Sequence, residues 1–392
     1  MRFLLRAIHP PTLHKPTNER RATWMELFYD LAFVVAIATT AHSLSSSGSP
    51  RSFLEFAVLF VLLQWAWTSY TFYNDRFDSD DLLHRIAGLS QMFLVLFIAT
   101  LHDWLTDDFR PFVIAYIFLR FFTIAFNYLA GLHIPAARQT TRILVIGYSV
   151  ALVPLLVAIV FTNPNWRLAF VALAALLQLA TPLLLPVRSK MNLPLSVSHV
   201  PERLGLFVTL TLGECFAGIV RVGTADHRTF AFAIGCAVAI SSVFCLWWVY
   251  FSRLNGAALQ DLGAKTRLWV YGHVPLTMSI VAFAVGLEEQ IEIILHSNEP
   301  ERRTLLFLAW GMGLICLALI QWVSRADGNH KPGRGLPAAI LLCGATSIVL
   351  AFIPWDARPL ANLTVVLVMG VCLASLCIGY DSESTGGDKA ID

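Results

Sequence analysis

The stretch that decides the fold is residues 23–36, TWMELFYDLAFVVA, in which two acidic residues stand at the start of a long apolar run. A second stretch of the same kind, HVPERLGLFVTLTLGE, occupies residues 199–214. Both runs are long enough to enter a bilayer, where an ionised side chain costs at least about 2.5 kcal/mol. The carboxylates in these segments therefore need either a partner or a function.

The composition indicates a membrane protein. The chain of 392 residues is 57% hydrophobic and only 14% charged, whereas soluble domains carry about 25% charged residues. A net charge of +2 without a basic patch argues against a nucleic-acid partner. The seven cysteines lie in apolar segments and show neither CxxC nor Cys/His spacing, so we expect no disulfide framework, metal site or cofactor. No Walker, GxSxG, HExxH or CxxCH motif is present.

Hydrophobic runs predict an all-α polytopic membrane protein, because a hydrocarbon core of about 30 Å needs about 20 apolar residues per helix. The lipid bilayer is therefore its first expected partner. Twelve transmembrane helices are predicted, in two parallel six-helix halves. The predicted spans lie near 25–44, 52–73, 83–101, 111–130, 142–161, 167–186, 202–221, 229–251, 267–287, 304–323, 336–353 and 360–380.

The predicted domain organisation follows from these spans and from weak similarity between the halves. Glu26, Trp67, Tyr70 and Arg85 recur in order as Glu202, Trp247, Tyr250 and Arg267, at comparable spacing and at matching helix ends. Such a series indicates a parallel internal repeat. The predicted segments are a cytoplasmic leader 1–22, a first half 23–186, a central linker 187–201, a second half 202–380 and a disordered tail 381–392.

Loop charges predict the orientation of the chain. With the N-terminus in the cytoplasm, 19 of the 28 Lys and Arg residues fall on the inner side, against 8 on the outer side. By the positive-inside rule, both termini are then cytoplasmic.

The remaining cation, Arg120, lies at the centre of the fourth predicted span. Such an arginine should pair with a carboxylate, and Glu214 and Asp30 are the candidates. Glu214 lies about 18 Å deeper along its helix than Glu202. Burial there would allow it to bind and release a proton near neutral pH. We assign Glu214, Asp30 and Arg120 to a central polar group, with Gly213 and Gly218 allowing close helix approach beside Glu214. A static structural role accounts for these charges equally well.

A second group of polar residues is predicted to form an inner vestibule at the cytoplasmic helix ends. Glu26 shares a helix face with Asp30, and His199, Glu202 and Arg203 open the seventh span. Plain helix capping in the headgroup region is an alternative for this group. Four further polar positions, which interhelical hydrogen bonding would also explain, are His84, Arg85, Gln91 and His273.

The two opening stretches also carry a family resemblance. ELFYDLAFV at 26–34 resembles the ELFFDLVFV signature of the bacterial low temperature requirement protein A family. HVPERLGLF at 199–207, with LGE at 212–214, resembles its second signature, H-x-x-E-R-x-G-L-F and L-G-E. Tyr29 replaces Phe, and Cys215 stands where Ser is common. The resemblance implies a polytopic protein of the bacterial cytoplasmic membrane, and it implies no particular reaction or substrate.

Three classes of function remain open on the sequence. The first is a proton-coupled secondary transporter or permeation protein for an unknown small molecule or ion, protons among them. The second is a membrane-embedded enzyme or redox protein that uses His84, His199 or His273. The third is a stress-adaptation protein without turnover, in which the charges only stabilise the fold. We favour a protein that is not an enzyme.

Overall fold

The computed structural model describes residues 10–14, 21–41, 44, 49–78, 81–101, 105, 108–185, 193, 195–223, 229–252, 259, 263–295, 303–324, 335–353 and 358–386. These residues are overwhelmingly helical. The helices are α1 Trp24–Thr40, α2 Pro50–Arg76, α3 Leu82–Ala99, α4 Arg110–His133, α5 Arg138–Val150, α6 Val153–Ala158, α7 Pro164–Ala180, α8 His199–Val222, α9 Phe230–Phe251, α10 Ala264–Leu295, α11 Arg303–Val323, α12 Gly335–Phe352 and α13 Pro359–Gly386.

Eleven segments in the described part of the chain are long and apolar enough to cross a membrane. Helices α5 and α6 belong to one such segment, Pro135–Ala158, which is interrupted just before Pro154, where a proline removes a helical hydrogen bond. The predicted span at 25–44 corresponds to α1, whose 17 residues are short for a bilayer core. The all-α membrane fold that the sequence predicts is confirmed.

Local sequence explains where several helices begin. The Thr23 hydroxyl accepts a hydrogen bond from the Glu26 backbone N–H, and Glu26 Oε2 accepts one from the Thr23 backbone N–H at 2.8 Å. This reciprocal capping box fixes the start of α1. Asp81 caps α3 through its side chain, and proline occupies the first turn of α2, where its missing N–H costs nothing.

The chain divides into two compact units. Unit 1 comprises Met1–Phe207 and Leu259–Arg267, and unit 2 comprises Val208–Ala258 and Leu268–Asp392. The division falls within α8 and within α10. The predicted leader, linker and tail fall largely or partly outside the described residues, and the predicted halves and internal repeat stay predictions.

In unit 1, α1 packs against α2 and α3, while α4 packs against α3 and α5, and α2 also contacts α4 and α7. The interior of this unit is aromatic, since Trp65, Trp67, Tyr29 and Tyr116 are fully buried. A two-residue antiparallel strand pair, β1 Thr12–Leu13 with β2 Phe77–Asp78, joins the segment before α1 to the end of α2.

In unit 2, α11 packs closely against α12, and α13 packs against α9, α11 and α12. Small residues permit these contacts. A Cβ atom at Gly311 would lie 2.7 Å from the Gly344 carbonyl oxygen, and one at Gly286 would lie 2.8 Å from Leu306 Cα. Such small-residue contacts are typical of helix pairs in membranes.

The outer faces of the spans are rich in large apolar side chains. Phe93, Phe118, Phe121 and Leu342 are all well exposed. A large contiguous apolar surface is unfavourable in contact with water. The same surface is compatible with contact with lipid tails. These faces therefore support contact with a lipid bilayer.

Candidate functional site: a buried ion cluster in unit 1

The two acidic residues of the first stretch lie on the buried face of α1. Glu26 and Asp30 are one helical turn apart, which places them on the same side of the helix. Asp30 is 0% exposed, and Glu26 is nearly as buried. Two adjacent carboxylates in this position require positive groups close by, because an unpaired buried charge is strongly unfavourable.

Arg203, in the first turns of α8, supplies one such positive group. Its guanidinium Nη2 donates to Asp30 Oδ1 at 2.5 Å, and its Nη1 lies 3.4 Å from Glu26 Oε1. The indole Nε1 of Trp67 also donates to Asp30 Oδ1, at 2.7 Å. Arg203 therefore bridges both acidic residues of α1, while Trp67 fixes the orientation of the Asp30 carboxylate.

His199 extends the cluster by one helical turn along α8. Its Nδ1 lies 3.0 Å from Asp75 Oδ1, and its Nε2 lies 3.5 Å from Glu26 Oε2. The second carboxylate oxygen of Asp75 accepts the Ser196 backbone N–H at 2.9 Å. Asp75 thus anchors the start of α8 to the end of α2. We call Glu26, Asp30, Asp75, His199 and Arg203 the ion cluster.

Formal charges in the ion cluster nearly balance. Three carboxylates are present, and Arg203 is joined by Arg76, which interacts electrostatically with Asp75. With a neutral imidazole at His199, one negative charge is left over. One additional proton, on the imidazole or on a carboxylate, therefore makes the set neutral, which is the favourable state for a buried group.

Asp75 and Trp67 are site residues that sequence reasoning missed as partners. The predicted span ends at residue 73, so Asp75 falls into a predicted loop, and Trp67 entered the sequence analysis only as a mark of the internal repeat. Asp75 follows Asn74 and precedes Arg76 directly. This run of polar residues at a helix end was the available signal.

The structure regroups the predicted site residues. Asp30 lies with Glu26, His199 and Arg203, which were predicted to form the vestibule, whereas the side chain of Glu202 is exposed. The expected pair between Arg120 and Asp30 is not formed, because Arg203 occupies the Asp30 carboxylate. Helix α8 brings Arg203 to this carboxylate, which no spacing along the chain could reveal.

Arg120 itself is fully buried in unit 1, with its guanidinium carbon 4.3 Å from the centroid of the Tyr148 ring. An aromatic face attracts a cation through its quadrupole. The predicted carboxylate partner is thus replaced within unit 1 by an aromatic one.

Glu214 belongs to a different set of charges, in unit 2. It is partly exposed and lies 4.0 Å from Arg221, which itself makes a closer ion pair with Glu288 at 3.0 Å. A Cβ atom at Gly218 would lie 3.2 Å from Glu288, so this glycine does permit a close approach, as expected. At Gly213 an added Cβ would meet no described atom within 4 Å, so the same expectation is wrong there.

Three of the four additional polar positions, His84, Gln91 and His273, make ordinary interhelical hydrogen bonds. Tyr70 and His84 Nε2 lie 2.9 Å apart, and Tyr250 and His273 Nε2 lie 3.2 Å apart. The Gln91 side-chain oxygen accepts the Tyr29 hydroxyl at 3.0 Å. His273 Nδ1 also contacts the Trp269 carbonyl oxygen, so both of its ring nitrogens are engaged. Arg85 is exposed at the start of α3.

Among the described residues, no group of three or more His, Cys, Asp or Glu side chains is arranged to hold a metal ion. The carboxylates of the ion cluster contact a guanidinium and an imidazole.

Comparison with known proteins agrees with the fold and with the two stretches that build the ion cluster. The profile described as bacterial low temperature requirement A protein (LtrA) matches residues 21–374. The chain is also similar to RA0937 of Rhizobium meliloti (strain 1021), described as uncharacterized. That protein is 23% identical over 380 residues, which cover 92% of this chain and 89% of the relative. The chain therefore belongs to the bacterial low temperature requirement A family, as an integral membrane protein.

Proposed function

We propose that this protein is a proton-coupled secondary transporter of the bacterial cytoplasmic membrane, with both termini in the cytoplasm. The observation that carries the proposal is the ion cluster, in which three buried carboxylates contact one guanidinium group and one imidazole, with Arg76 as a further positive charge that interacts with Asp75. A cluster with one uncompensated negative charge takes up a single proton to become neutral. Buried ionisable groups of this kind are typical of proton pathways in transporters.

The proposed switch is the competition for Arg203. In one state Arg203 pairs with Asp30 and Glu26, as the distances of 2.5 and 3.4 Å support. A proton on either carboxylate weakens its attraction for the guanidinium, because the Coulomb term is lost. Arg203 then shifts toward the remaining carboxylate, and α8, which carries it, changes its packing against α1.

His199 is the proposed proton donor and acceptor of the cluster. It lies between Asp75 and Glu26, so its imidazole can pass a proton from one carboxylate to the other without leaving the buried site. Histidine suits this role because its unperturbed pKa is close to physiological pH. Ser196 and the end of α2 hold Asp75 in place for the exchange.

Glu214 is a second proposed site of proton exchange, in unit 2. Its carboxylate lies at the limit of ion-pair distance from Arg221, which is held more tightly by Glu288. This weak pairing supports a carboxyl group that can change its protonation state without breaking a strong interaction. Arg120 is proposed to bias the same conformational change within unit 1.

The experiment is a flux measurement on purified protein in liposomes that contain a pH-sensitive dye. An imposed proton gradient, combined with a panel of small organic and inorganic solutes, should reveal solute-dependent proton movement. We expect Asp30→Asn, His199→Gln and Glu214→Gln to abolish the dependence of flux on pH. Glu55→Gln removes an exposed carboxylate paired with Arg51 at 2.8 Å and is the matched control, for which wild-type flux is expected.

Two results would contradict the proposal. One is the absence of solute-dependent proton movement in the wild-type protein across the whole panel. The other is a pH-dependent flux that Asp30→Asn and His199→Gln leave unchanged while both variants remain folded. If only Glu214→Gln retains wild-type coupling, Glu214 is removed from the mechanism and the ion cluster is kept.

A further inference from the structure

Arg120 is a second buried guanidinium in unit 1, and it is not a member of the ion cluster. Its side chain is 0% exposed. Among the residues that the structure describes, Nε, Nη1 and Nη2 all lack a hydrogen-bond partner. A buried arginine without an anionic partner is costly, because desolvation of the cation is not repaid. The position therefore demands a compensating group.

Tyr148 is the aromatic partner of this guanidinium. The ring centroid lies 4.3 Å from the Arg120 guanidinium carbon, and the Tyr148 hydroxyl is held by the Ser69 hydroxyl at 3.2 Å. A guanidinium donates its N–H groups in its own plane, at the edge of the group. The contact with Tyr148 thus leaves Nε, Nη1 and Nη2 of Arg120 without a hydrogen-bond acceptor among the described residues.

Two side-chain amides of unit 1 also have buried donors without an acceptor among the described residues. Tyr116, one turn before Arg120 on α4, donates its hydroxyl to the Gln178 side-chain oxygen at 2.8 Å. Tyr29, which interacts electrostatically with Arg120, donates its hydroxyl to Gln91. Both glutamine oxygens are therefore occupied, while both Nε2 atoms are buried with no acceptor among the described residues. The interior of unit 1 therefore contains several buried hydrogen-bond donors, on Arg120, Gln91 and Gln178, that have no acceptor among the described residues.

Arg167, in the same unit, is a structural arginine whose hydrogen bonds can be compared with those of Arg120. It also faces an aromatic ring, with its guanidinium carbon 5.4 Å from the Phe109 centroid. Its Nε donates to the Phe161 carbonyl oxygen and its Nη1 to the Leu105 carbonyl oxygen, each at 2.8 Å. The chain thus satisfies the donors of Arg167 with its own carbonyl groups and does not do so for Arg120.

We propose that Arg120 is the centre of an anion-binding site in unit 1, and that its ligand is a small monovalent carboxylate. A carboxylate presents two coplanar oxygen atoms, which match two parallel N–H groups of a guanidinium edge. The proposal concerns binding, so it holds whether or not the protein transports a solute.

The test is thermal unfolding of the purified full-length protein in detergent at pH 7, with formate or acetate replacing chloride at constant ionic strength. A ligand that binds the folded state raises its apparent melting temperature in a saturable manner. We expect a rise of roughly 3 °C or more for the wild-type protein over a hundredfold range of carboxylate concentration. For Arg120→Gln we expect binding at least about tenfold weaker.

Two further variants keep the test decisive. Arg167→Gln removes a guanidinium whose donors are already paired, and the carboxylate-dependent shift should persist in it even if the protein is less stable overall. Arg120→Lys retains the cation but loses the two parallel donors, so it should fold and bind carboxylate more weakly than wild type. If Arg120→Gln does not fold, carboxylate binding by Arg120→Lys is compared with that of the wild-type protein instead.

Each result of the thermal unfolding experiments either supports or overturns the proposed site. A saturable carboxylate shift that Arg120→Gln or Arg120→Lys weakens, and that Arg167→Gln retains, supports the site. A wild-type melting temperature that does not depend on carboxylate overturns it, as does an equal shift in the Arg120 variants. No difference between carboxylate and chloride over the whole titration overturns the assignment of the ligand class.

Discussion

The guanidinium of Arg203 lies 2.5 Å from the carboxylate of Asp30, although the two residues are separated by 173 positions in the chain. Both side chains are 0% exposed. Arg203 stands in the first turns of α8 and Asp30 in the second turn of α1, so this pair joins the two charged stretches of the chain together with the contacts of Arg203 and His199 to Glu26. The stability of unit 1 should therefore depend on this pair.

Replacement of Arg203 by Met should destabilise the protein strongly. Met has a similar length but no charge, so Asp30 and Glu26 lose a buried counter-ion, which costs about 3–5 kcal/mol in comparable cases. The measurement is unfolding in mixed detergent, followed by circular dichroism. Arg221→Met is the matched control, because this arginine is 52% exposed in its pair with Glu288. Its loss should cost less than about 1 kcal/mol, and equal costs for the two variants would contradict the prediction.

Replacement of Trp67 by Phe tests the hydrogen bond to Asp30. The Trp67 indole N–H donates to Asp30 Oδ1 at 2.7 Å, and hydrogen bonds to charged groups contribute about 1.5–3 kcal/mol. Trp269→Phe removes an equally buried indole whose N–H has no partner among the described residues. Unfolding of both variants should show the larger loss for Trp67→Phe. A larger loss for Trp269→Phe would argue that packing alone fixes both rings.

The contact between Asp75 and His199 should appear as a coupling energy. Asp75→Asn and His199→Gln remove the two partners of a buried contact of 3.0 Å. Because the groups interact directly, the double variant should deviate from additivity by at least about 0.5 kcal/mol in unfolding measurements. His199→Gln combined with Glu55→Gln, near the opposite end of α2, should be additive. Additivity in both pairs would show that the contact contributes nothing.

The close packing of α11 on α12 should not tolerate a methyl group at Gly311. A Cβ atom there would lie 2.7 Å from the Gly344 carbonyl oxygen and 2.8 Å from Ile348 Cγ1. Overpacking of this kind costs about 1–3 kcal/mol, so Gly311→Ala should lower the melting temperature in detergent. Gly213→Ala is the control, since its Cβ meets no described atom within 4 Å. Alanine should there be neutral, or stabilising by up to about 1 kcal/mol.

Most of the helices could be predicted from the sequence, because hydropathy acts over a window of about 20 residues. The predicted spans near 52–73 and 304–323 correspond to α2 Pro50–Arg76 and α11 Arg303–Val323. The predicted helix ends were wrong where a helix is longer than the apolar segment that crosses the membrane. Helix α10 runs from Ala264 to Leu295, past the polar residues at which the predicted span stopped, because backbone hydrogen bonding continues beyond the apolar segment.

The residues of the candidate site were largely identified from the sequence, and their partners were not. Burial cost singled out Glu26 and Asp30, and Arg203 was assigned to the predicted vestibule at the start of the seventh span. Asp75 lay beyond the predicted end of a span. Arg120 was expected to pair with a carboxylate, and the structure instead places its guanidinium over Tyr148. Charge along a chain indicates that a partner is needed, but helix packing decides which group supplies it.

The sequence by itself determined that this chain is an all-α membrane protein of the low temperature requirement A family, and where its costly charges lie. Both are local properties, since a run of apolar residues and a short motif can be recognised without any long-range contact. Only the tertiary structure decided that Arg203 joins Asp30 and Glu26, that His199 joins Asp75, and that the donors of Arg120 point at no protein acceptor among the described residues. The physical reason is that ion pairing depends on distances of a few ångströms between side chains, and these distances are set by how the helices pack.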